Sequence, residues 1–112
     1  MASTSSQATH GSQTVAEACS VYEARVSAIL ESPELATMSQ DTEEARALRE
    51  KLSTSLHAAT AEVSNARLLP LLRRADTSAA KLVDTYDAAL GLEDPTLKRL
   101  LLAMQGLDQL CG

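Results

Sequence analysis

Along most of this chain apolar residues recur at intervals of four and three, a spacing that fits helices and little else. Val15, Cys19, Tyr22, Val26 and Ile29 align along one stripe of a helix. Thr14 stands three residues before Glu17, the spacing of a reciprocal capping box, so a first helix, α1, is expected over about 15–31. Ser32-Pro33 ends it, because proline lacks an amide hydrogen, and opens a short turn carrying Leu35 and Met38. Asp41 and Glu44 repeat the box spacing before the stripe Ala45, Leu48, Leu52, Leu56, Ala59 and Val63, which predicts α2 over about 42–64. If α2 ran on, its apolar face would next present Arg67, Pro70 and Arg73 or Arg74. The phase instead restarts as Leu68, Leu72, Ala75, Ala79, Leu82, Tyr86 and Ala89, so the chain breaks between Val63 and Leu68 and α3 follows over about 66–90. Pro70 lies too deep for the first turn if Asn65 is the cap, which predicts a kink or a later start. Leu90-Gly91-Leu92 has the form of a glycine-terminated helix, and Asp94-Pro95 reads as the cap and first position of α4, about 95–111.

Composition agrees with that reading. Nineteen Ala and eighteen Leu stand against five Val, one Ile and two aromatic residues, Tyr22 and Tyr86, too few strand formers for a sheet. The expected fold is all-α, a small antiparallel four-helix bundle forming a single domain over 15–112. The alternative is a three-helix bundle with α4 packed on a partner chain. Residues 1–14 contain no Asp, Glu, Lys or Arg and only three hydrophobes, too few to offset the entropy of ordering, and are expected to be a disordered tail. On α4, Leu97, Leu100, Met104, Leu107 and Cys111 form the stripe and Leu101 widens it. Leu102 falls on the polar side among Lys98, Gln105 and Gln109, and is expected to be exposed.

A net charge of −5 is the wrong sign for a domain that binds by neutralising phosphates, so no nucleic-acid partner is expected. No stretch is long and apolar enough for a membrane span, and the first residues lack a basic start and an apolar signal core. An intracellular, cytoplasmic location is therefore expected. Cys19 and Cys111 have no CxxC spacing and no histidine nearby, and read as two reduced, buried thiols, with no metal and no cofactor. The sequence contains no phosphate-cradling glycine loop, no GxSxG and no HExxH. Glu43-Glu44 and Glu93-Asp94 fall at helix starts, where negative charge complements the helix dipole. No enzyme is expected.

His57 is the one histidine within the helical region, and its phase on α2 points it to solvent. An exposed helical histidine on a four-helix bundle resembles the histidine phosphotransfer domains. In that family a lysine three residues on and a glycine four residues on accompany the histidine; here those positions are Thr60 and Ala61. Residues 45–90 look somewhat like the last two helices of the GAT domains of trafficking adaptors, through Leu48, Leu52, Ala59, Val63, Leu71-Leu72, Asp76 and Tyr86. They depart from that pattern at Ala75 and Ser78, and Tyr86 comes one residue late. Residues 82–105 are similar to a BAG cochaperone domain at Tyr86-Asp87 and Arg99, and depart at Leu100 and Gln105. Neither likeness supplies a site residue.

Charge distribution says more than its total. Residues 66–76 hold three arginines against one aspartate, on a chain that is acidic elsewhere. Arg67, Arg74 and Lys81 are seven apart, a basic stripe away from the α3 core face that suits acidic side chains. The expected function is a non-enzymatic protein–protein interaction module, an adaptor or small subunit of an intracellular complex. Its partner would be another protein, met through Leu101 and Leu102 of α4 and the basic stripe of α3, with self-association possible. The alternative is a degenerate phosphorelay domain using His57.

Overall fold

The computed structural model describes residues 13–112. The expected tail lies outside the described residues as far as residue 12. Gln13 and Thr14, assigned to that tail, are instead tied to the bundle. The Gln13 side chain accepts from the Ser64 amide at 3.0 Å, and its carbonyl accepts from the Asn65 side chain at 2.8 Å.

Three of the four helices start on a side chain that takes up free amides. Helix α1 is Val15–Leu30, and the capping box forms in both directions, Glu17 N–H to Thr14 Oγ1 at 3.0 Å and Thr14 N–H to Glu17 Oε1 at 2.8 Å. A 3-10 turn, Pro33–Thr37, follows. Helix α2 is Glu43–Glu62, and its cap is Thr42, whose hydroxyl accepts from Ala45 N–H at 3.0 Å, one residue after the Asp41 expected from spacing. Helix α3 is Leu69–Thr85. Asn65 Oδ1 accepts from the amides of Arg67 and Leu68 at 2.8 and 3.2 Å, which closes a turn ahead of the helix. Pro70 then occupies the first helical turn, where its missing amide hydrogen costs nothing, so the later start is realised.

Helix α3 ends at Thr85, five residues before the expected limit. Tyr86 adopts an extended backbone, and its hydroxyl donates to the Ser39 carbonyl while Arg49 Cζ sits 4.4 Å from its ring centroid. That tether draws Tyr86 out of helical register, and Ala89 beyond it is exposed where the phase would bury it. Gly91, with φ of 53°, then opens a second 3-10 turn, Gly91–Glu93. Helix α4, Pro95–Cys111, begins on Asp94, whose Oδ1 accepts from Thr96 and Leu97 amides at 2.8 and 3.1 Å. Its other oxygen accepts from Asp87 N–H at 3.0 Å.

Successive helices pack on one another and α4 closes back onto α1, giving an all-helical four-helix bundle without strands among the described residues. His57–Asp76 and Thr60–Leu72 pair in opposite chain directions, so α2 and α3 are antiparallel, and Cys19–Cys111 sets the start of α1 beside the end of α4. Of the ten largest fully buried side chains eight are leucines, and Tyr22 is the one aromatic ring among them. Small residues let the helices approach. At Gly106 an added Cβ would stand 3.1 Å from a Leu71 methyl, so glycine admits Leu71 between α3 and α4.

The cysteines correct the expectation of two reduced thiols. Cys19 and Cys111 form a disulfide with Cα atoms 5.5 Å apart, and no free cysteine remains. Antiparallel closure of the bundle explains it. The first turns of α1 lie beside the last turn of α4, and both cysteines occupy core-facing positions there. No helix among the described residues is long and apolar enough to cross a membrane.

Candidate functional site

Along their outer edge helices α3 and α4 border a groove lined in part by small residues. Thr77 and Ser78 on α3 and Ala103 on α4 floor a groove of about 500 Å³. Leu71 and Leu102 supply its apolar walls, and Arg73, Arg74 and Arg99 stand around it. On α3 the i, i+4 pairs Arg73/Thr77 and Arg74/Ser78 bring the guanidinium groups above the small floor. None of these three arginines is ion-paired among the described residues, and the carboxylates of Asp76 and Glu93 are engaged elsewhere. Asp76 meets His57 Nδ1 at 3.1 Å, and Glu93 meets Lys98 Nζ at 2.9 Å. The Lys98 ammonium, hydrogen-bonded and close, holds the Glu93 carboxyl below its ordinary pKa.

Of the residues singled out from the sequence, the groove gathers Leu102, 66% exposed as its phase implied, and Arg74. Arg67 is exposed in the turn ahead of α3, off the helix, so the seven-residue stripe keeps only Arg74 and Lys81. Lys81 is exposed on α3 and does not line the groove. Leu101 and Leu102 do not form one patch. They lie about 100° apart on α4, and Leu101, 44% exposed, lines a different cavity, toward α1. Arg73 and Arg99 are groove residues the sequence reading passed over. The available signal was positional: Arg99 stands three residues before Leu102, on the same face of α4.

His57 is exposed, its side chain 79% accessible, with one ring nitrogen held by Asp76. Thr60 Oγ1, at the position where phosphotransfer domains carry lysine, donates to the Leu56 carbonyl at 2.7 Å. Among the described residues no group of three or more His, Cys, Asp or Glu side chains is arranged to hold a metal ion.

Two buried polar groups also escaped the periodicity. Arg49, 6% exposed, donates through Nη1 to the carbonyls of Met38 and Gln40 at 2.7 and 3.0 Å, and so clamps the connection between α1 and α2. Tyr22, 2% exposed, has a hydroxyl with no hydrogen-bond partner among the described residues. An unmet buried hydroxyl costs about 1–3 kcal/mol. Burial first, and then the negative charges of Asp108 and Glu23, push its pKa up to about 12, so it stays a neutral O–H donor.

Compared with known proteins, the chain matches no family model, no curated protein and no solved structure.

Proposed function

We propose that the chain is a non-enzymatic protein-interaction module, an adaptor or small subunit of a larger assembly, whose groove between α3 and α4 receives an acidic amphipathic helix of another protein. The observation that carries this reading is the set of three arginines, Arg73, Arg74 and Arg99, without an ion-pair partner among the described residues, around an apolar groove ending in the exposed Leu102. Guanidinium groups offer bidentate donors to carboxylates, and leucine walls suit an apolar helix face. Nucleic acid is a poorer fit, because the chain as a whole carries −5. The Cys19–Cys111 bridge supports an oxidising compartment in place of the cytoplasmic location expected from the sequence.

A synthetic helix with leucines at i, i+4 flanked by glutamates is the probe, read by fluorescence anisotropy. It should bind, weaken as salt rises, and be lost with Leu102→Glu and with the double change Arg74→Glu and Arg99→Glu. All three residues are exposed, so helical content and melting should be unchanged. Binding that survives Leu102→Glu would refute the groove as its site. Phosphorelay chemistry at His57 has an equally direct test: incubation with phosphoramidate should give no histidine-dependent gain in mass.

A further inference from the structure

We propose, resting on the reading of the α3–α4 groove as a docking surface, that its arginines form a phosphate site, which takes a phosphorylated side chain in the first turn of the partner's helix. A carboxylate alone would leave most of the donors there unused.

Leu71 meets Gly106 at one end of the helix pair, and the short connection from Tyr86 to Asp94 joins the two helices at the other, so α3 and α4 run antiparallel. Three residues along α3 from Leu71 and three back along α4 from Gly106, Arg74 comes about level with Ala103, and four more bring Ser78 about level with Arg99. Each of these arginines thus stands across from a small residue of the other helix. The pair is set diagonally, about 6 Å apart along the axes, and both line the groove, as does Arg73 beside Arg74.

The donors around that diagonal are free. On a chain that carries −5 overall, none of the three guanidinium groups meets a carboxylate among the described residues. The hydroxyls of Thr54, Thr60 and Thr85 donate to the carbonyl four residues back on their own helices, at 3.0, 2.7 and 2.8 Å. Thr77 and Ser78, in the groove, make no such bond among the described residues. One arginine fork satisfies a carboxylate. A phosphate monoester presents three terminal oxygens and a charge of about −2, enough to engage Arg74 and Arg99 from opposite helices together with a hydroxyl between them. In a helix's first turn that charge also meets the positive end of the helix dipole, and leucines further along can reach Leu71 and Leu102. A phosphodiester has one charge and one free oxygen fewer, which makes nucleic acid the poorer occupant.

Three forms of the synthetic acidic helix, with serine, glutamate or phosphoserine at one first-turn position, test this on the oxidised full chain by fluorescence anisotropy. The phosphoserine form should bind roughly tenfold or more tighter than the glutamate form, and the serine form weaker than either. Inorganic phosphate should displace it more effectively than chloride does at equal ionic strength. Arg74→Lys and Arg99→Lys keep the charge and lose the fork, and each should cut the preference for phosphoserine over glutamate to about threefold or less. Both positions are exposed, so helical content and melting should not change. Equal affinity for the phosphoserine and glutamate forms, a preference that survives both lysine variants, or tighter binding of a single-stranded oligonucleotide than of the phosphoserine helix would each overturn the phosphate site. Equal binding of the two acidic forms would leave the docking surface standing, whereas failure of all three helices to bind would overturn it as well.

Discussion

Reducing the Cys19–Cys111 bridge is the sharpest perturbation the fold offers. The two cysteines are separated by 92 residues, nearly the whole described domain. Releasing such a cross-link returns loop entropy to the unfolded chain, about 4.6 kcal/mol at 25 °C on the chain-entropy model. A domain of this size has a total stability of about 5–15 kcal/mol, so the reduced protein should fold marginally. Urea unfolding of air-oxidised and phosphine-reduced protein, followed by helical circular dichroism, reads the difference. For an m-value of roughly 1.2 kcal/mol/M, the midpoint should fall by about 4 M on reduction. The slope should also rise, because a chain cross-linked end to end exposes less surface when unfolded. A double Cys19→Ala, Cys111→Ala variant should match the reduced protein and be indifferent to reductant. A midpoint shift under about 1 M, or two thiols titrating in unfolded protein that has seen no reductant, would refute the reasoning.

Other contacts make smaller claims. Asp94→Ala removes the acceptor for three backbone amides and should cost about 1–2 kcal/mol in urea unfolding. Burial alone would raise the Asp94 pKa, but the amides of Asp87, Leu97 and Thr96 outweigh it and hold the group below its ordinary 3.8. Its contribution should therefore be fully present above pH 3.8 and disappear as the pH falls through the lower folded value, so acid unfolding of wild type should be steeper than that of Asp94→Ala. Arg49→Met should lose about 2–3 kcal/mol, because two carbonyls lose their donor and Tyr86 its cation, and hydrogen exchange should quicken around residues 38–40. Gly106→Ala gains up to about 1 kcal/mol of helix propensity. The new Cβ meets only Leu71 methyls at 3.1 and 3.3 Å, and Leu71 has the groove to move into, so thermal melting should rise slightly.

Periodicity made the four helices legible because each buried stripe is continuous within its own element. The phase break after Val63 located the boundary between α2 and α3, and Pro70 narrowed where α3 starts. Periodicity failed where a side chain reaches across the bundle. The end of α3 depends on Tyr86 meeting Ser39 and Arg49, residues far away in sequence. Arg49 reads as one more polar helix residue until the chain before α2 folds over it. The disulfide is a different case. Both cysteines were on core stripes, and an antiparallel bundle makes the first and last helices neighbours at that end. The pairing followed from the expected fold, but judging the cysteines by their local spacing concealed it. Arg73 and Arg99 were likewise hidden by following one helix at a time, since the groove exists only between two.

Helix α4 places its two exposed leucines on opposite tasks. Leu102 opens onto the arginine groove shared with α3, and Leu101 onto the cavity shared with α1. The disulfide bears on these unequally. It joins α1 to α4, the two helices that hold Tyr22 and Met104 across the cavity, and makes no link to α3. Under conditions mild enough to keep the reduced protein folded, reduction should therefore loosen the Tyr22 cavity first. The α3–α4 groove, closed by Leu71 against Gly106, should keep its shape. Exchange of the amides around Tyr22 should then quicken on reduction while the acidic helix binds as before. Loss of the acidic helix on reduction would mean that α4 moves as one body against α1 and α3 together.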